Sequence, residues 1–151
     1  MARIKFVRPE DVGYVRVRDL YDESSESGAV MLRKIPEEEL SGQETRFYFP
    51  GSPDELQMFE VRCEPDTRFN SHAHIEDEIM YVLSGEIRLG RRAYPAGSAI
   101  YIPGGTLYGF HSGPEGLRFL NFRARQDTTY ITREDLHGDK AEEAEEQGND
   151  T

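Results

Sequence analysis

At 151 residues the chain is long enough for one domain with a hydrophobic core and too short for two of ordinary size. Its formal charge of −11, from 29 acidic and 18 basic residues, repels phosphate backbones, and no cluster of Lys and Arg forms a basic footprint, so nucleic acid is excluded as an expected partner. The longest apolar run, residues 79–83, falls far short of the roughly 20 residues of a membrane span. The first residues lack the apolar stretch of a secretory signal, and the lone Cys63 cannot form an internal disulfide; a cytoplasmic protein is expected.

In chain order, alternation in residues 14–18 predicts a strand and residues 29–35 a second, with a polar segment between. This reads as an N-terminal strand arm over residues 1–40. Its edges need covering, and a homodimer that exchanges the arms is expected. Pro36 and the acids after it suit a single helical turn, which Gly42 can end. Strand candidates then follow closely at 44–49, 56–63, 68–74, 78–83, 86–89, 99–102, 107–111 and 117–124, separated by Gly and Pro turns. Short strands at this spacing predict an all-β sandwich or barrel over residues 41–126. Residues 127–138 hold a short helical segment, begun by Thr132-Arg-Glu-Asp135 and closed by His137 and Gly138. The acidic tail, 139–151, is too polar to order itself.

The chemistry concentrates in Phe69 to Gly85, where His72 and His74 stand two apart and Glu78 follows. Strand side chains alternate, so the two imidazoles share a face with their roots roughly 7 Å apart, within reach of one ion. Glu78 has the same parity but would lie about 13 Å beyond His74 on an unbroken strand. A turn at Ile75-Glu-Asp77 must therefore lay the strand beginning at Glu78 back along the one ending at His74. Two neutral imidazoles and a carboxylate make a facial set with positions open for water, substrate or oxygen.

The spacing His72-x-His74-x3-Glu78-x6-Gly85 resembles the first signature of the cupin superfamily. Gly97, Pro103 and Gly105 are similar to the first half of the second. The resemblance covers residues 44–124 and implies a double-stranded β-helix, or jelly-roll, barrel with a metal in its mouth. The implied ion is iron, with nickel, manganese or zinc as alternatives.

The chain departs from the pattern at Asp66, at Ser112 and, most consequentially, at Tyr108, which stands where a third histidine is expected. Three readings of Tyr108 are open: a direct ligand, as in the ectoine synthases that the local text resembles; a hydrogen-bond donor to bound water or substrate; or a barrel tyrosine with a satisfied hydroxyl. His111 could replace the missing imidazole only through a bulge at Gly109, and His137 reads as structural. Met80 and Phe110 are expected to wall the cavity and contact the ligand. Arg46, Arg68, Arg118 and Arg123 alternate with apolar residues, so one of them could reach inside. Cys63 reads as a small core residue.

The resemblance thus implies a metal-dependent enzyme on a small carbonyl, enol or carboxylate substrate, most simply an iron dioxygenase, an oxidoreductase. His72, His74 and Glu78 would hold the ion, and Tyr108 would ligate it or act as general acid. The alternatives are a non-catalytic ligand-binding or sensor barrel and a cupin isomerase or lyase.

Overall fold

Period-two burial organises the computed structural model, which describes residues 2–137. In strand β5, Glu78–Leu89, the side chains of Glu78, Met80 and Val82 are buried while Ile79 and Tyr81 face outward, as alternation on a pleated strand requires. The other strands are β1 (Val15–Arg16), β2 (Gln43–Phe49), β3 (Gln57–Cys63), β4 (Arg68–Ala73), β6 (Arg92–Pro95), β7 (Ala99–Ile102), β8 (Tyr108–Arg123) and β9 (Ile131–Thr132). All pairings are antiparallel. The hub is β8: one edge runs along β5 from Glu78↔Arg123 to Arg88↔His111, and the other is shared by β4 and β3. The expected all-β jelly roll is the observed fold.

Val61, Cys63, Phe69, Met80, Val82, Ile87, Ile102, Phe110, Leu117 and Phe119 form the barrel core. At Gly85 the backbone turns to φ 70° beside a shift in the β5–β8 register. A Cβ there would lie 2.0 Å from the Gly116 carbonyl oxygen, so only glycine lets the two strands meet.

Several elements differ from the expectation. The segments at 78–83 and 86–89 are one strand, and so are those at 107–111 and 117–124, because Gly85 and Gly116 take positive φ and bend the strands without ending them. Strand β6 has no predicted counterpart. The strands β4 and β5 do not pair with each other; β5 lies instead against β8.

The N-terminal arm is helical where a second strand was expected. Residues 29–35 fall largely within helix α1, Glu26–Lys34. Ser25 caps it by accepting from the Gly28 N–H at 3.0 Å, and Arg33 and Lys34 face the negative end of its dipole. The helical turn brings Met31 and Ile35 to one side, where they pack with Val17, Leu40, Tyr21, Leu32 and Tyr130. Helix α2, Glu37–Ser41, follows as expected, and its Gly42 cap donates to Glu38 O at 2.9 Å. Burying Leu40 contributes about 1.5 to 3 kcal/mol. The arm therefore folds over its own barrel, with β1 paired to β2 of the same chain. The closing helical turn spans residues 133–137, and Thr132 and Asp135 cap it reciprocally. The acidic tail expected at 139–151 lies outside the described residues. Among the described residues no helix is long and apolar enough to cross a membrane.

Candidate functional site

Strand β4 delivers His72 and His74 to the barrel mouth. The loop after it, 74–77, is held by hydrogen bonds from Glu76 N to Asp127 Oδ2 at 2.8 Å and from Gly104 N to Asp77 Oδ1 at 2.7 Å. Each imidazole gives its Nδ1 edge to a backbone carbonyl, His72 to Asn70 O at 2.7 Å and His74 to Thr129 O. A carbonyl can only accept, so Nδ1 carries the proton and Nε2 is the free lone pair of each ring. Burial, chiefly, pushes the His72 imidazolium below its ordinary value, and burial together with the Arg123 charge pushes His74 down to about 4. Both rings are thus neutral at physiological pH.

Glu78 arrives at the start of β5, 2% exposed, and its carboxylate is fully engaged. Oε1 accepts from the Tyr108 hydroxyl. Oε2 accepts from Asn121 Nδ2 at 2.8 Å and from Arg123 Nη2 at 3.0 Å and Nε at 3.3 Å. Burial would raise this carboxyl, but Arg123, His74, Tyr108 and Asn121 together hold it below the ordinary carboxylate range. Burial and the Glu78 charge drive the Tyr108 phenol well above its ordinary value, so Tyr108 is a neutral donor. None of the three readings of Tyr108 named Glu78 as its partner, yet its hydroxyl donates to that carboxylate; a phenolate ligand would have to form against both effects.

The two imidazoles are neighbours, with ring centroids 5.0 Å apart at 83°, close enough for both to reach one ion. The carboxylate does not complete them as it stands. Among the described residues no group of three His, Cys, Asp or Glu side chains is placed to hold a metal; Asn121 and Arg123 engage Oε2 of Glu78, and Tyr108 engages Oε1.

His72, His74, Tyr108, Asn121 and Arg123 form the polar end of a cavity of about 390 Å³, with Glu78 behind them. Its body is apolar and aromatic, with Phe47, Phe59, Phe69, Met80, Phe110 and Phe119 in the wall. Phe69 and Phe110 stack at 4.3 Å. Its roof comes from the N-terminal segment, through Val17, Leu20, Tyr21 and Glu39. Met80 and Phe110 both line it, whereas His111 does not and pairs with Arg68 and Arg88 in the ladder. Cys63 is a buried core residue.

Of the four alternating arginines, only Arg123 lines the cavity. Arg46 and Arg118 pair on the outer side with the buried Glu60, at 2.6 and 2.8 Å, where Tyr14 also donates and ties down the N-terminal segment. Asn121 and Arg123 share inward parity with Leu117 and Phe119, and two polar residues on an otherwise buried face are the signal that distinguishes them. Glu39 and Tyr130, which also reach the site, carry no such signal.

The chain can be compared with known proteins. A family model described as the ChrR Cupin-like domain matches residues 57–117. No curated protein sequence matches the chain. Among solved structures, it is similar to the polyketide cyclase RemF from Streptomyces resistomycificus, with TM-score 0.63 and 22% identity over 87% of this chain and 86% of that one. It is also similar to an RmlC-like cupin protein from Ralstonia eutropha JMP134, with TM-score 0.62 and 12% identity over 88% and 75% of the respective chains. A variant of oxalate decarboxylase from Bacillus subtilis matches more narrowly, with TM-score 0.50 and 22% identity over 56% of this chain and 26% of that one. At these identities the solved structures speak to the fold alone. The jelly-roll topology, the His72–His74–Glu78–Gly85 spacing and the match over residues 57–117 agree: the chain has a cupin fold.

Proposed function

We propose that this chain is an enzyme acting on a small, largely apolar substrate with a carbonyl or enol oxygen, bound with that oxygen at the imidazole end of the cavity. The observation that carries this reading is the tautomer lock. Both Nδ1 atoms are spent on backbone carbonyls, which leaves two lone pairs at the polar end of an aromatic chamber. His72 and His74 would hold a divalent ion, which when bound supplies Lewis acidity toward a substrate oxygen or water. Tyr108 donates to Glu78 and fixes the carboxylate, Arg123 places a positive charge at the same end, and the phenylalanines exclude water from the apolar part of the substrate.

Because Glu78 is held by Arg123, a two-histidine, one-carboxylate set for iron and dioxygen is not preassembled, and proton transfer between carbonyl and enol forms is favoured over oxygenation. An iron dioxygenase is the second reading. The spacing of the two imidazoles supports it, and it requires Glu78 to exchange its arginine for the ion.

The test is anaerobic titration of chelator-treated protein with Co²⁺, Ni²⁺ or Fe²⁺. Uptake of one ion per chain, abolished by His72→Ala and by His74→Ala, is expected. A chain that takes up none yet still binds aromatic ketones is a ligand-binding barrel, and the enzymatic reading fails. Oxygen consumption with an enol or catechol would favour the dioxygenase instead.

A further inference from the structure

Glu39 is a buried carboxyl that neither the fold nor the imidazole end explains. It belongs to α2, ahead of the matched region, is 1% exposed and lines the cavity. Its Oε1 accepts from the Asn70 N–H, and the Tyr130 hydroxyl donates to both oxygens, at 3.1 and 3.3 Å. The Tyr130 ring in turn stacks on His72, with centroids 4.5 Å apart and planes 9° from parallel. The Tyr130 phenol thus links the carboxyl to the His72 imidazole, and both line the same chamber. Among the described residues no Lys, Arg or His pairs with it. Burying a carboxyl without a cation is costly, and Leu40, its neighbour, shows that α2 packs well with an apolar side chain.

The two helix acids also differ in use. Glu38 accepts from the Arg68 N–H at 3.0 Å at the outer end of β4. Glu39 does the same at Asn70 but turns its carboxyl into the cavity.

We propose that Glu39 is a catalytic residue, the proton acceptor and donor for a C–H adjacent to a substrate carbonyl whose oxygen lies at the imidazole end. This rests on the carbonyl–enol reading above. The C–H bond breaks and its proton passes to a Glu39 oxygen. The electron pair forms the carbon–carbon double bond and the charge moves to the carbonyl oxygen, at the end where Arg123 stands. Delivery of a proton to that oxygen gives the enol, whereas return of the proton from Glu39 to the carbon regenerates the ketone with its hydrogen exchanged; neither outcome involves net oxidation. Tyr130 keeps the acceptor oxygen aimed. Burial raises the Glu39 carboxyl to about 7, against the opposing hydrogen bonds of Asn70 and Tyr130, so both of its forms are populated near neutral pH, as acid–base exchange requires.

The experiment is solvent deuterium exchange into phenylpyruvate and 1-phenylbutane-1,3-dione, followed by proton NMR on the full chain and corrected for the uncatalysed rate. Binding of each probe is measured in parallel by saturation-transfer NMR. The unmodified protein should accelerate exchange. Glu39→Gln should lose at least about a hundredfold of that acceleration, the upper range for a positioned general base, while still binding the probes. Glu39→Asp, which keeps the carboxyl and moves it back, should fall between them, and it serves if the glutamine variant does not fold. Exchange by Glu39→Gln within about threefold of the unmodified protein, well inside the loss expected of a general base, overturns the role of Glu39 and leaves the carbonyl–enol reading standing. Absence of exchange by the unmodified protein on both probes overturns both.

Discussion

Arg123 and Glu78 form an ion pair at 3.0 Å inside the barrel, with side chains 6% and 1% exposed. Such a pair stabilises little on balance, yet removing one partner strands the other. Arg123→Ala is therefore expected to cost about 3 to 5 kcal/mol in urea denaturation. Because it also frees the carboxylate face, added Co²⁺ should restore more stability to this variant than to the unmodified chain. Equal effects of Co²⁺ on the two would show that Arg123 does not compete with an ion for Glu78.

Tyr108 is expected to behave as a donor to Glu78 and not as a ligand. Tyr108→Phe leaves the buried carboxylate one bond short, a loss of about 1 to 3 kcal/mol. Its Co²⁺ affinity should fall by no more than about tenfold, as for a residue that acts through a neighbour, while His72→Ala should lose binding outright. Competitive titration against a chromophoric chelator distinguishes the two.

Phe110 packs against Phe69 at 4.3 Å and Phe119 at 6.0 Å and also walls the cavity. Phe110→Ala is expected to cost about 3 to 5 kcal/mol and to enlarge the chamber at its apolar side. Bulkier aromatic ketones should then bind better relative to smaller ones, as read by saturation-transfer NMR.

Glu39 sets a slope in stability against pH. Its folded value of about 7 lies above the ordinary 4.5, so between these values the folded chain holds a proton that the unfolded chain has released. Its contribution is full below pH 4.5 and is lost as pH rises toward 7, by up to about 1.4 kcal/mol per unit. Tyr130, Tyr108 and Glu38 are the titratable groups that interact with it, and neither tyrosine ionises in this window. The neutral His72 and His74 act in the opposite sense, losing stability as pH falls below 6.5. The difference between the unmodified chain and Glu39→Gln isolates the slope, and a difference that stays flat from about pH 5 to about pH 8 would show that Glu39 is ionised throughout.

Most of the barrel was legible from alternation, because its strands bury one face and expose the other. What escaped did so for local reasons. Residues 29–35 carry apolar side chains that suit either period, and the Ser25 cap and the packing of Met31 and Ile35 decided for a helix. The Gly113-Pro-Glu-Gly116 text looks like a turn, yet positive φ at Gly116 lets β8 continue through it. Strand β6 is short and largely exposed, and its composition resembles a loop. At the site, the histidine pair stands out in the text, whereas the partner of Glu78 does not: an arginine in a strand usually faces water, and only the inward parity of Asn121 and Arg123 marks them. Glu39 sits in a run of three glutamates that reads as a solvated helix start, and nothing local says which of them turns inward.

The roof of the chamber and its floor come from separate stretches of chain: Val17, Leu20, Tyr21 and Glu39 precede the matched stretch of 57–117. A fragment trimmed to that stretch would keep both imidazoles and lose the lining that encloses a guest. Conversely, exchanging a few residues of the leading segment re-cuts the chamber without disturbing a single rung of the barrel ladder, so what the pocket accepts and how the barrel stands up are free to change independently.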